Sequence, residues 1–214
     1  GQILVGTRNG ILICDTNLHS SRGLVSWHSD YTRLGAARAL FVDRTGTIWV
    51  GTERNGVGCI KPGSNRITWM HGKPWTSRPN TNTVSFIGGL DSNTILVGAD
   101  GGIAIANITS KMPAWHDVPR VPGLPHDRIP VSAITRISPT MVLVGTDYGL
   151  FKGPLGGPYA EVVNHDSNAI RPNINIVRSI VIDNRTAIVA TWGGGIRFIN
   201  LDTFTERVVD TRHG

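Results

Sequence analysis

Several things are scarce in this chain, and each scarcity excludes something. Of 214 residues only two are cysteines, Cys14 and Cys59, too few for a disulfide framework. No stretch approaches the ~18 apolar residues in a row that a membrane-crossing helix needs, so no membrane insertion is expected within this chain. Charged residues make up only 17% of the total, which argues against a disordered polyelectrolyte and against a coiled coil. The basic cluster and aromatic signature of a nucleic-acid module are missing, so no nucleic-acid partner is expected. Catalytic signatures are weak: there is no Gly-x-Ser-x-Gly, zinc-ligand helix motif or phosphate-binding loop. No cofactor and no metal is implied. There is no signal peptide, but the chain starts with Gly rather than Met. It reads as a mature, trimmed or excised piece, so the missing signal excludes no compartment.

What is present is short β-type runs separated by 26 glycines and 12 prolines. Five near-copies of one phrase organise them. They are Ile3-Leu4-Val5-Gly6-Thr7, Ile48-Trp49-Val50-Gly51-Thr52, Ile95-Leu96-Val97-Gly98-Ala99, Val142-Leu143-Val144-Gly145-Thr146 and Ile188-Val189-Ala190-Thr191. Counted at Gly6, Gly51, Gly98, Gly145 and Ala190, the intervals are 45, 47, 47 and 45 residues. A period of that size, filled with strands and almost no helical signal, means repeats built from small sheets. Each unit is too small to bury its own apolar faces, so the copies must cover one another. The expected fold is all-β: a β-propeller of about five four-stranded blades in a single domain spanning 1–214. The repeats fall at about 1–35, 36–82, 83–129, 130–175 and 176–214.

Repeat two is the clearest. Strand A is expected over Ala37–Val42, strand B over Thr47–Gly51, strand C over Val57–Lys61 and strand D over Arg66–Met70, with Gly, Pro, Asn and Asp at each break. Asp43 and Asp183 both look like formers of the A–B turn. Repeat one begins at its second strand, so the first blade lacks its inner strand. Two readings stay open: a fragment of a longer propeller, or an incomplete blade closed by a strand from another chain or a second copy. Cys14 and Cys59 fall on strand C of neighbouring blades and are expected as free, buried thiols.

The run from Ala37 to Thr52, with Asp43-Arg44-Thr45-Gly46 and Ile48-Trp49-Val50-Gly51-Thr52, resembles the two-component-regulator propeller repeat. Val177 to Phe198, ending Thr191-Trp192-Gly193-Gly194-Gly195-Ile196-Arg197-Phe198, is similar. Gly98-Ala99 and the Gly153–Pro158 insertion depart from the pattern. The resemblance implies an extracytoplasmic sensor domain, periplasmic or extracellular, of a kind that often recognises carbohydrate.

In a propeller the B–C turns and D–A loops open on one face, and loops on a rigid scaffold are where binding residues collect. Arg bonds carboxylates or sulfates at two points, carboxylates accept from hydroxyls, and Trp stacks on a pyranose ring. The ligand-binding candidates on this face are Arg8, Arg38, Glu53, Trp75, Asp147, Arg178 and Trp192. Arg38 and Arg178 stand at equivalent places near the start of strand A, with Ser85 and Ser132 between them in the series. Each Arg either helps form an anion-binding mouth or bonds a neighbouring blade. The net charge of +6 has the same two readings, an acidic ligand or scattered surface arginines. Trp27, Trp49, Trp69 and Trp115 are expected as packing wedges between sheets. His28, His71, His116, His165 and His213 recur after strand D, too far apart to share the ~2 Å bonds of one metal. A glycan-active enzyme is the lesser alternative. It would use Glu53, Asp100 or Asp147 as paired carboxylates, although acidic residues there are simpler to read as turn formers.

Overall fold

The computed structural model describes residues 1–17, 19, 21–26, 35–70, 83–100, 102–108, 114–116, 129–162 and 176–210, with backbone alone for 25, 26 and 114–116. There is no helix among them. They form five small antiparallel sheets, each a meander in chain order. Sheet 1 is three-stranded: β1 (Gln2–Thr7), β2 (Gly10–Asp15) and β3 (Ser21–Ser26). Sheet 2 holds β4 (Ala37–Val42), β5 (Ile48–Thr52), β6 (Val57–Ile60) and β7 (Thr68–Trp69). Sheet 3 holds β8 (Val84–Gly89), β9 (Thr94–Ala99), β10 (Gly102–Asn107) and β11 (Ala114–His116). Sheet 4 holds β12 (Val131–Arg136), β13 (Met141–Thr146), β14 (Gly149–Pro154) and β15 (Ala160–Glu161). Sheet 5 holds β16 (Val177–Asp183), β17 (Thr186–Thr191), β18 (Ile196–Asn200) and β19 (Glu206–Val209).

Two compact units are distinguished. The first contains β1 to β9 with most of β10 and β11, and the second contains β12 to β19. In the first, Ile11, Val50 and Ile60 form a core between sheets 1 and 2, joined by Leu4, Leu40 and Trp69. Trp49, Val57, Val84, Ile95 and Val97 form another between sheets 2 and 3. In the second unit, Leu143, Leu150, Val177, Val189 and Ile199 join sheets 4 and 5. Each fully buried Leu or Val contributes about 1.5–3 kcal/mol by leaving water. The second strands of sheets 2 to 4 are apolar, and nearly every residue in them is buried.

The repeated Gly-Thr step has a physical cause at each residue. A Cβ on Gly51 would lie 2.5 Å from Cγ1 of Val84, and one on Gly145 would lie 2.4 Å from Cγ1 of Val177. A Cβ on Gly6 would lie 3.0 Å from Cβ of Ala37. The glycine therefore leaves room for the first residue of the next sheet. The threonine closes the B–C turn. The hydroxyls of Thr7, Thr52, Thr146 and Thr191 donate to the carbonyls of Gly10, Gly56, Gly149 and Gly195, at 2.9–3.1 Å. The Thr7, Thr52 and Thr146 oxygens also accept from the amides of Asn9, Asn55 and Tyr148. Thr52 and Thr146 are fully buried, so this satisfaction is required.

Some elements differ from expectation. β7 and β15 are two residues long, shorter than the outer strands read from sequence. β14 is longer, running to Pro154. The loop after it is tied back by Tyr159, whose hydroxyl donates to the carbonyl of Leu155 at 2.7 Å. Burial pushes the Tyr159 phenol up to about 12. Cys14 and Cys59 are free on β2 and β6, but half-buried rather than buried. Cys59 packs toward sheet 3. Cys14 pairs with Ile3, on the opposite side of its sheet from Leu4. Asp43 and Asp183 also part company. Asp43 Oδ1 accepts from the Thr45 and Thr47 amides and the Thr45 hydroxyl, and Oδ2 accepts from Trp49 Nε1 at 2.8 Å. Partial burial raises the Asp43 pKa, but these four bonds outweigh it and the net shift is downward. Asp183 instead ends β16 opposite Thr186, and Asn184 makes the turn with φ 52°.

Candidate ligand-binding site

One irregularity recurs at the start of strand A. In the pairs β4–β5, β8–β9, β12–β13 and β16–β17 the register skips a residue after the first pairing. The skipped residues are Arg38, Ser85, Ser132 and Arg178. A bulge removes a residue from the ladder and re-aims its side chain. The sequence aligned these four positions, and the backbone shows what they share.

The bulged side chains of sheets 4 and 5 reach a neighbouring strand. The Ser132 hydroxyl donates to the carbonyl of Val177 at 2.5 Å. Arg178 Nη1 donates to Asp147 Oδ1 at 3.4 Å. Both partners are partly exposed, so this pair contributes about 0–1 kcal/mol to stability. The Arg178 guanidinium also lies 5.4 Å from the ring centroid of Trp192, within reach of a cation–π interaction. Trp192 is 60% exposed. Its amide donates to the carbonyl of Ile176 at 2.8 Å, which fixes the residue against the root of β16. Asp147 is fixed in the same manner through the carbonyl of Pro130. Acceptor and aromatic plane on the B–C turns of sheets 4 and 5 thus lie together with the cation bulged out at the start of β16.

Glu53 is engaged differently. Its carboxylate accepts from the Ala36 amide at 3.3 Å, and its carbonyl accepts from the Thr83 hydroxyl at 2.9 Å. Its visible work is to tie the ends of β4 and β8 to the turn after β5. Arg38 is exposed at the bulge of β4, and Arg8 is exposed in the β1–β2 turn. Arg8 follows Thr7 as Asp147 follows Thr146. Arg38 enters sheet 2 as Arg178 enters sheet 5. Where sheets 4 and 5 set an acid beside a base, sheets 1 and 2 supply two bases at the corresponding positions.

Trp75 lies outside the described residues, as do Trp27 and the D–A loops between 71 and 82, 117 and 128, and 163 and 175. His28, His71, His165 and His213 are outside them too. Trp49 is buried and Trp69 packs beside Ile60, as wedges should. Among the described residues no group of three His, Cys, Asp or Glu side chains is placed to hold a metal.

A concavity lies elsewhere on these sheets. At the opposite end of sheets 4 and 5 a cleft of about 340 Å³ is lined by Ile137, Met141, Lys152, Arg185, Leu201 and Phe204. The Lys152 ammonium sits 3.4 Å from the Phe204 ring centroid. Asn184 and Phe204 are the non-glycine residues with positive φ among those described, and both border this cleft. The repeat held a signal for it. Lys152 stands on strand C where Ile13, Cys59, Ile105 and Phe198 stand in the other sheets.

No protein-family model matches the chain, and no curated protein matches it. Solved structures do. The extracellular domain of BT4673 from B. thetaiotaomicron was solved twice, described once as part of a one component system and once as part of a hybrid two component system. It matches with TM-score 0.72 and 19% identity over 98% of this chain. The chain spans 26% of that domain's length. The β-propeller domain of Cps50 (Swd1) from Myceliophteria thermophila matches with TM-score 0.63 and 14% identity, over 98% of this chain and 64% of that one. BamB from Moraxella catarrhalis matches with TM-score 0.63 and 16% identity, over 96% and 60%. The chain thus shares its fold with the extracellular domain of BT4673 and with a β-propeller domain. Among the described residues no helix is long and apolar enough to cross a membrane.

Proposed function

We propose that this chain is a non-catalytic, sensor-type propeller module of about five blades. It works outside the cytoplasm and binds a carbohydrate, anionic in character, on the face formed by the B–C turns. The observation that carries the reading is the grouping of Asp147, Arg178 and exposed Trp192. A pyranose needs a flat apolar platform and directional polar partners at its rim, and these three side chains supply both. Arg8 and Arg38 add positive charge to this face, an arginine standing after Thr7 where Asp147 stands after Thr146. A fold shared with extracellular sensor domains supports the class of function.

The test is a panel of neutral, uronic-acid and sulfated oligosaccharides, measured at two salt concentrations. Trp192→Ala and Arg178→Ala should each weaken binding about tenfold, the equivalent of ~1.4 kcal/mol. Arg8→Ala with Arg38→Ala should flatten the salt dependence, because screening acts on the charge term. Absence of binding across the panel, or binding indifferent to all four replacements, would remove the site. Product formation abolished by Glu53→Gln or Asp147→Asn would replace the sensor reading with an enzyme.

A further inference from the structure

Sheets 2 and 4 differ along one cross-strand row. In sheet 2 the row is Phe41, Trp49 and Cys59. All three pack toward sheet 3, and a Cβ on Gly89 would lie 3.0 Å from the Phe41 ring. The Trp49 indole is held there by its bond to Asp43. The corresponding row of sheet 4 is Thr135, Leu143 and Lys152, with Ile137 at the place of Asp43. Two rings are therefore missing where sheet 4 meets sheet 5, and a cation has been added. The cleft of about 340 Å³ opens beside this row. Close-packed interiors do not leave a space of this size, whereas small-molecule sites occupy about 300–1,000 Å³. The connections that frame it, 137–140, 155–159, 184–185 and 201–205, are all described.

The lining sorts by chemistry. Ile137, Met141 and Leu201 supply apolar walls. Arg185 is paired with Asp202, and both are exposed, so these two charges offset each other. Lys152 is half-buried and has no acidic partner among the described residues. Its ammonium rests 3.4 Å from the Phe204 ring centroid. An ammonium carries three N–H donors, and one ring face does not occupy them all. Phe204 itself has φ 55°, a region that a bulky side chain rarely takes. Its amide donates to the Asn200 carbonyl at 2.8 Å, which keeps the β18–β19 turn in that shape and the ring under Lys152.

We infer that this cleft is a second ligand site, and that it takes a small organic carboxylate with a flat apolar body. The body lies against Ile137, Met141 and Leu201, in the space that Phe41 and Trp49 fill in sheet 2. The carboxylate accepts from the Lys152 ammonium, which the Phe204 ring holds at the cleft wall. The site is at the end of sheets 4 and 5 opposite Trp192, so it does not depend on the carbohydrate reading.

The probes are phenylacetate, its uncharged analogue phenylacetamide, and acetate, each titrated into the whole chain with backbone amide shifts as the readout. Phenylacetate should bind at millimolar concentration or below, and the other two should bind at least about tenfold more weakly, the equivalent of ~1.4 kcal/mol. The shifts should gather at Lys152, Arg185 and Phe204. Lys152→Met should abolish the preference for the acid over the amide, and Lys152→Arg should retain it. Met141→Trp, which returns a ring to the cleft, should weaken all binding, with melting temperatures reporting that the variants are folded. Equal binding of acid and amide to the parent chain, no binding at millimolar concentration, or shifts gathered at Arg178 and Trp192 would each overturn the assignment. So would an undiminished preference for the acid in folded Lys152→Met.

Discussion

The junction between sheets 1 and 2 and the junction between sheets 4 and 5 are one construction with different chemistry. Each has a glycine where the next sheet's first residue presses in, a threonine closing the B–C turn, and a bulged arginine entering strand A. At sheets 4 and 5 the bulged Arg178 meets Asp147 and Trp192. At sheets 1 and 2 the corresponding positions hold Arg38 and Arg8. Backbone geometry is thus held constant while the charge on the rim changes from a balanced pair to two cations. The repeat preserves what packing requires, and ligand chemistry varies at positions that packing leaves alone.

Breaking the glycine should hurt most where the next sheet's first residue is a valine rather than an alanine. Gly145→Ala and Gly51→Ala both drive a Cβ into a valine, and each should destabilise by about 1–3 kcal/mol, read as a lower denaturant midpoint. Gly6→Ala, at the junction of sheets 1 and 2, meets the Ala37 methyl at 3.0 Å and its carbonyl oxygen at 3.2 Å and should lose less. A Gly145→Ala chain as stable as the parent would mean that Val177 does not press on sheet 4 as described.

The threonine tests the same equivalence one step down. Thr146→Val and Thr52→Val keep the shape but remove a buried hydroxyl that bonds twice. About 1–2 kcal/mol should be lost at either site. Sheet 3 carries Ala99 there, so Ala99→Val should lack this hydrogen-bond component, and a double comparison by chemical denaturation would isolate it.

At the rim the sign of charge should decide the outcome. Asp147→Asn should change stability by no more than about 1 kcal/mol, yet it should make the junction of sheets 4 and 5 resemble that of sheets 1 and 2. Binding of a sulfated oligosaccharide should then become tighter and more salt-sensitive. Weaker binding would show that Asp147 serves as an acceptor for the ligand rather than as a tether for Arg178.

The smallest effect should separate the A–B turns of sheets 2 and 5. The folded pKa of Asp43 is below the ordinary 3.8. Its stabilising contribution is therefore complete above that value and is lost as pH falls through the depressed folded pKa. Asp43→Asn should flatten the acid limb of the stability curve below about pH 4, whereas Asp183→Asn, which removes none of those four bonds, should cost less stability at neutral pH than Asp43→Asn.

Much of this was legible before any coordinates. Spacing of the Gly-Thr phrase located every strand B, and the apolar runs located strands A and C to within a residue or two. Outer strands were less legible because short, half-exposed segments carry little pattern, and β7 and β15 proved to be two residues each. Arg38, Arg178, Ser85 and Ser132 could be aligned but not interpreted, since a bulge leaves no mark in the one-dimensional pattern. Lys152 broke the apolar register of strand C and could have been noticed. Its cleft could not, because Phe204 reaches it from the turn between β18 and β19, more than fifty residues away.

The sequence by itself determined the repeat, the antiparallel meander and the demand that sheets cover one another, because those follow from local periodicity and from apolar area that one sheet cannot bury. Only the tertiary structure decided that Arg178 faces Asp147 and Trp192, that Glu53 clasps backbone, and that Lys152 meets the Phe204 ring. Those outcomes depend on which side chains from distant segments meet, and contact between segments has no signature in chain order.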